Sequence, residues 1–206
     1  MIALCAFAAT RGWRLIDFAR ARAADKTSEA TRAWIGVPAV TTAALDAALH
    51  DIAEQGSAAA AEQRTALLTQ LLAVRPMSSI AWLSLAGMRV ATGEPYSTVL
   101  AALKMSSVTG PNEAEVMWER GIFGLLQWEV LPPDFQQRAI VDLAGPILTG
   151  IVNDPGRQLV RSVLSAKAPK AQAQIARMLQ TQGITSVDLK QIGLSSAQTQ
   201  APAVTQ

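Results

Sequence analysis

The chain has 206 residues, half of them hydrophobic and 5% aromatic, with 18 Lys and Arg against 16 Asp and Glu for a net charge of +2. That length allows one sizeable core or a short array of repeats, and the near-neutral balance lacks the basic stripe that a nucleic-acid binder needs. Cys5 is the only cysteine, which excludes an internal disulfide and leaves a small hydrophobe in an apolar stretch.

Abundant alanine and leucine with few β-branched runs predict an all-α chain, because alanine loses no side-chain entropy in a helix and β-branched residues do. The first predicted helix spans Ile2 to Arg32 and makes residues 1–33 an N-terminal element. It opens with the uninterrupted apolar run Met1–Ala9 and continues into Arg11, Trp13, Arg14, Arg20 and Arg22. The basic excess is local, with six basic side chains against three acidic ones in residues 1–32 and twelve against thirteen in the remainder. Nine apolar residues cannot span a bilayer, which takes about 20. Two readings follow. The run is either the exit half of a membrane anchor that begins upstream, or part of a helix docked on the body. The first makes residues 1–22 a membrane contact and the protein inner-membrane-associated, with the positive-inside rule favouring a cytoplasmic body; the second makes it cytoplasmic.

Trp34-Ile35-Gly36-Val37-Pro38 breaks the helical pattern and reads as a linker. Beyond it, residues 40–182 are expected to form one domain of helical hairpins. Thr41 or Thr42 caps a helix carrying Leu45, Leu49 and Ile52 that ends at Gly56. Ser57 caps the next, Ala58 to Val74, with Leu67, Leu68, Leu71 and Leu72 as its apolar stripe. A second hairpin runs from Ser78 to Ala91 and from Pro95 to about Val108, with Gly93 stopping its first helix. In the third, Asn112 and Glu115 are spaced as a capping box, the first helix reaches at least Leu126, Pro132-Pro133 ends it, and its partner stops or kinks at Gly145-Pro146. Asp154-Pro155 and Pro169 open two further helices, to about Lys167 and Gln182. Residues 183–206 read as a weakly ordered to disordered tail, since SSAQTQAPAVTQ has no periodic apolar face.

Pro76 precedes Trp82, and Pro111 precedes Trp118, so a Pro-then-Trp unit recurs after about 35 residues, a period typical of stacked helical hairpins. With Trp82, Leu85 and Ala86 on one first helix and Met117, Trp118 and Gly121 on the next, the middle of the chain resembles a divergent tetratricopeptide-type repeat. The third hairpin departs from that pattern through a first helix longer than the family uses. The resemblance implies a concave protein-binding face, with Leu83, Gly87 and Val90 from one unit and Trp118, Glu119 and Ile122 from the next.

Chemical motifs are missing. His50 is the only histidine, which excludes HExxH and two-histidine metal sites. No GxSxG or GxGxxG occurs, and Ile151 and Val152 stand after Gly145 and Gly150 where a phosphate loop needs Lys and Ser or Thr. Glu113, Glu115, Glu119 and Glu129 are the residues from which a carboxylate pair for glycoside cleavage could come. The expectation is therefore a non-enzymatic scaffold or adaptor without cofactor, metal or nucleic acid, tethered to a bacterial envelope membrane and binding a protein or peptide. The alternatives are a carboxylate-based helical hydrolase and a structural bundle without a groove.

Overall fold

A computed structural model describes residues 2–24, 31–37, 40–53 and 58–194, the side chains of 2–11, 53 and 58 excepted. Every regular element among them is a helix: α1 (Ile2–Ala24), α2 (Thr41–Ala53), α3 (Ala58–Val74), α4 (Ser79–Ala91), α5 (Tyr96–Thr109), α6 (Ala114–Leu126), α7 (Pro133–Leu148), α8 (Asp154–Ser165), α9 (Pro169–Thr181) and α10 (Ser186–Gln191). The fold is all-α, and α2 packs on α3, α4 on α5 and α6 on α7 as antiparallel hairpins. The single domain expected over 40–182 divides at Thr109/Gly110 into two compact units. Part of the reason is local, because Arg120 and Arg138 bond the carbonyls of Gly110 and Pro111 and tie the connecting turn to the second unit.

In the first unit, α3 also packs on α4 and so joins the two hairpins. Leu67, Leu68, Leu71 and Leu72 are buried, as their stripe predicts, together with Leu83, Leu85, Ala86, Val99 and Leu103. The predicted linker is not a free connection. Trp34 meets Phe18 edge to face with ring centroids 5.8 Å apart, and both pack with Val40 and Ala44. Arg22 clamps Asp51 with two bonds of 2.8 and 2.6 Å and reaches Thr31 at 3.1 Å. The C-terminal half of α1 is thereby docked on α2, while Trp13, Leu15 and Ile16 stay exposed. No helix among the described residues is long and apolar enough to cross a membrane. The predicted stretch up to Arg32 includes 25–30, which lie outside the described residues, as do Gly56 and Ser57.

In the second unit, α6 and α7 approach closely through two glycines. A Cβ on Gly121 would stand 2.5 Å from Leu143 Cγ, and one on Gly124 would overlap Ala139 Cβ. Helix α6 has 13 residues, the same as α4, and the two start at Ser79 and Ala114, a step of 114 − 79 = 35. The overlong first helix expected here is therefore not found. Its cap is Glu113, not Asn112. Helix α7 passes through Gly145-Pro146 and stops two residues later, because Gly150 takes a positive φ of 71° and Ile151 N–H closes on the Pro146 carbonyl. Asn153, rather than Asp154, caps α8, its Oδ1 accepting from Gly156 N–H at 2.9 Å.

Residues 183–194, expected to belong to the tail, are ordered. Thr185 and Asp188 form a reciprocal capping box that starts α10, and Leu189, Ile192 and Leu194 enter the core of Leu125, Trp128, Ile140, Leu143, Leu164, Ile175 and Leu179. Residues 195–206 lie outside the described ones.

Candidate functional site: a tryptophan and carboxylate cleft on helix α6

Trp118 is partly buried on α6 and packs against the core of the second unit together with Ile122. Its ring edge lies beside the first turn of α8, where a Cβ on Gly156 would stand 3.3 Å from Trp118 Cζ2. The remainder of the indole borders a cleft of 280 Å³. Glu115 and Glu119 line one wall, being four residues apart on the same helix face. Pro146, Ile151 and Val152, from the end of α7 and the turn after it, supply an apolar wall. The buried ring of Pro146 and the positive φ of Gly150 set that turn, so the stop of α7 is also what shapes the cleft.

The electrostatics are one-sided. Glu119 is exposed as a residue, yet enough protein surrounds its carboxyl that desolvation, and after it the nearby Glu115 carboxylate, raises its pKa above the usual glutamate range. No basic side chain lines this cleft. Glu129 behaves in the opposite way. Lys167 Nζ lies 2.8 Å from its Oε2 and holds its carboxyl below the ordinary range. Among the described residues, no group of three or more His, Cys, Asp or Glu side chains could hold a metal ion.

Of the six residues proposed to line a groove, Trp118 and Glu119 share this cleft, and Ile122 packs against the core without lining it. In the first unit Leu83 is 6% exposed and belongs to the core, whereas Gly87 and Val90 are half-buried on α4. A Cβ on Gly87 would meet no atom within 4 Å, so nothing packs over that position. The sequence marks Pro146 as a helix stop or kink and Ile151 as a failed phosphate loop, and nothing in it joins either to Trp118. They are about 30 residues from Trp118, and local periodicity carries no signal at that separation.

Compared with known proteins, the chain matches no family model, no curated protein and no solved structure.

Proposed function

We propose that the protein is a non-enzymatic interaction module, a divergent tetratricopeptide-like set of hairpins, that takes a partner segment at the Trp118 cleft. The observation that carries this reading is the placement of Glu115 and Glu119 beside the indole of Trp118 over an apolar wall. An aromatic face with carboxylates at its edge complements a Lys or Arg side chain, through cation–π attraction and charge-assisted hydrogen bonds. The partner segment thus presents a basic residue next to an apolar one. A displayed peptide library tests this. Selection by the wild type should enrich Lys and Arg beside apolar residues, and E119K should lose that enrichment. Equal selection by both proteins, or none for basic residues, contradicts the reading.

The shared cleft and the raised Glu119 carboxyl are also what a carboxylate-based hydrolase requires. Glycoside cleavage, however, places its two carboxyls on either side of the scissile bond. A pair at i and i+4 stands on one wall, and that arrangement suits a bound cation better than a bond to be cleaved.

The N-terminal helix supports a membrane-tethering role for the same module. Trp13, Leu15 and Ile16 are exposed at 63%, 38% and 47%, with Arg14 and Arg20 also exposed, a combination that favours an anionic bilayer surface. Flotation with anionic vesicles should carry the wild type upward and leave W13S/I16S behind. Equal flotation of the two would remove this part of the proposal.

A further inference from the structure

A second cleft, of 290 Å³, lies wholly within the first unit between α2, α3 and α4. Its character is opposite to that of the Trp118 cleft. Arg64 on α3, Arg75 at the end of α3 and His50 on α2 line it, against the single carboxylate of Asp46. Leu68, Leu71 and Ala81 form a buried apolar floor.

Three features of this cleft lack an internal explanation. Arg64 Nε is shielded from solvent and has no hydrogen-bond partner among the described residues. Buried polar atoms are nearly always bonded, and an unmet donor on a cation costs more than a neutral one. Ser78, at the N-cap of α4, makes no side-chain capping bond and lines the cleft wall. Arg75 meets Asp46 only in an exposed contact of 3.2 Å, the two side chains being 50% and 51% exposed. Such a pair contributes little and yields to a better partner. The turn that carries Arg75 and Ser78 is fixed by the Trp82 indole, which donates to the Pro76 carbonyl at 2.8 Å.

We infer that this cleft binds a small organic oxyanion, a phosphate monoester carried on a compact apolar group. Donors line the cleft from three helices, His50 on α2, Arg64 and Arg75 on and just after α3, and Ser78 at the start of α4, an arrangement suited to a tetrahedral anion, whereas a planar carboxylate would use donors in one plane. The leucine floor takes the apolar group. The site is independent of the Trp118 cleft and stands or falls separately from the proposed function.

Calorimetric titration of the full chain with phenyl phosphate, and in a parallel arm with inorganic phosphate, tests the assignment at fixed ionic strength. Wild type should show saturable one-to-one binding of phenyl phosphate, tighter than that of inorganic phosphate. R64Q should weaken it about tenfold, as loss of a charge-assisted contact does, and D46N should tighten it by freeing Arg75. Should R64Q fail to fold by circular dichroism, R75Q, altered at a half-exposed position, is read instead and should weaken binding severalfold. Absence of saturable binding, or unchanged binding by a folded R64Q or R75Q, overturns the site. Equal affinity for inorganic phosphate overturns the apolar half of the assignment.

Discussion

The indole N–H of Trp82 donates to the carbonyl of Pro76 across 2.8 Å. The Pro-then-Trp spacing therefore has a physical content in the first unit, where the tryptophan on a first helix locks the turn that delivers it. In the second unit the same spacing is put to another use. The Pro111 carbonyl is taken by Arg138 at 3.1 Å, and Trp118 faces a cleft. Trp82→Phe keeps the ring and removes the donor, so it should lower stability by about 1 kcal/mol, read as a shift in urea midpoint at unchanged slope. Trp118→Phe should cost less than Trp82→Phe if the assignment of roles is right.

The glycines of α4 and α6 predict opposite outcomes for one substitution. Gly87→Ala adds a methyl where no atom lies within 4 Å and should stabilise by about 0.5–1 kcal/mol, the helix-propensity difference. Gly121→Ala drives a methyl into Leu143 and should destabilise by about 1–3 kcal/mol through overpacking. Thermal unfolding of both variants decides it.

Arg120 and Asp142 form a bidentate pair, with Nε–Oδ2 at 2.8 Å and Nη2–Oδ1 at 3.0 Å, both side chains 1% exposed. Arg138, at 36% exposure, adds a third bond to Asp142 at 3.1 Å. Removing one partner of a buried pair strands the other charge. Asp142→Ala should therefore cost about 3–5 kcal/mol, and Arg138→Ala no more than about 1 kcal/mol because its charge is partly in water. Chemical denaturation of the two variants checks the ranking.

Much of this fold is legible in the sequence, and the failures are instructive. Helix α3 with its leucine stripe, the hairpin of α4 and α5, and the stop at Gly93 all follow from signals within a few residues, and Gly93 does adopt a positive φ of 69°. Gly145-Pro146 reads as a stop or a kink, and the helix runs two residues past Pro146, because proline forbids one hydrogen bond but not a helix whose next turn is closed by Gly150. Helix α10 was readable, since Thr185 and Asp188 have capping-box spacing, but six residues are too few to show an apolar period. The Arg120–Asp142 pair and the apolar wall of the Trp118 cleft were not readable at all. Both join residues more than twenty positions apart, and only the close approach of α6 and α7 over Gly121 and Gly124 brings them together.

The docking of α1 should be acid-sensitive. Its Asp51 carboxyl is held below the ordinary aspartate range, first by the hydrogen bond from Arg22. A carboxylate with a depressed folded-state pKa contributes stability that is full above the unfolded value, near 3.9, and is lost as the pH falls through the folded value. The protection of the α1 amides, read as exchange relative to that of the unfolded chain at the same pH, should fall below about pH 4 in wild type. In Asp51→Asn it should already be low at about pH 6. Protection independent of pH in wild type would contradict the clamp.

The Trp118 cleft gives the most direct test of the account. A short peptide with lysine beside leucine, titrated calorimetrically into the full chain from about pH 8 downward, meets Glu115 and Glu119 on one wall of the cleft. Affinity should fall as the pH drops through the raised Glu119 value, because only the charged form attracts the cation. E119K should abolish that binding and accept the matching aspartate peptide in its place. Wild-type affinity that is the same for lysine and aspartate peptides, or an E119K protein that still prefers lysine, would contradict the central claim.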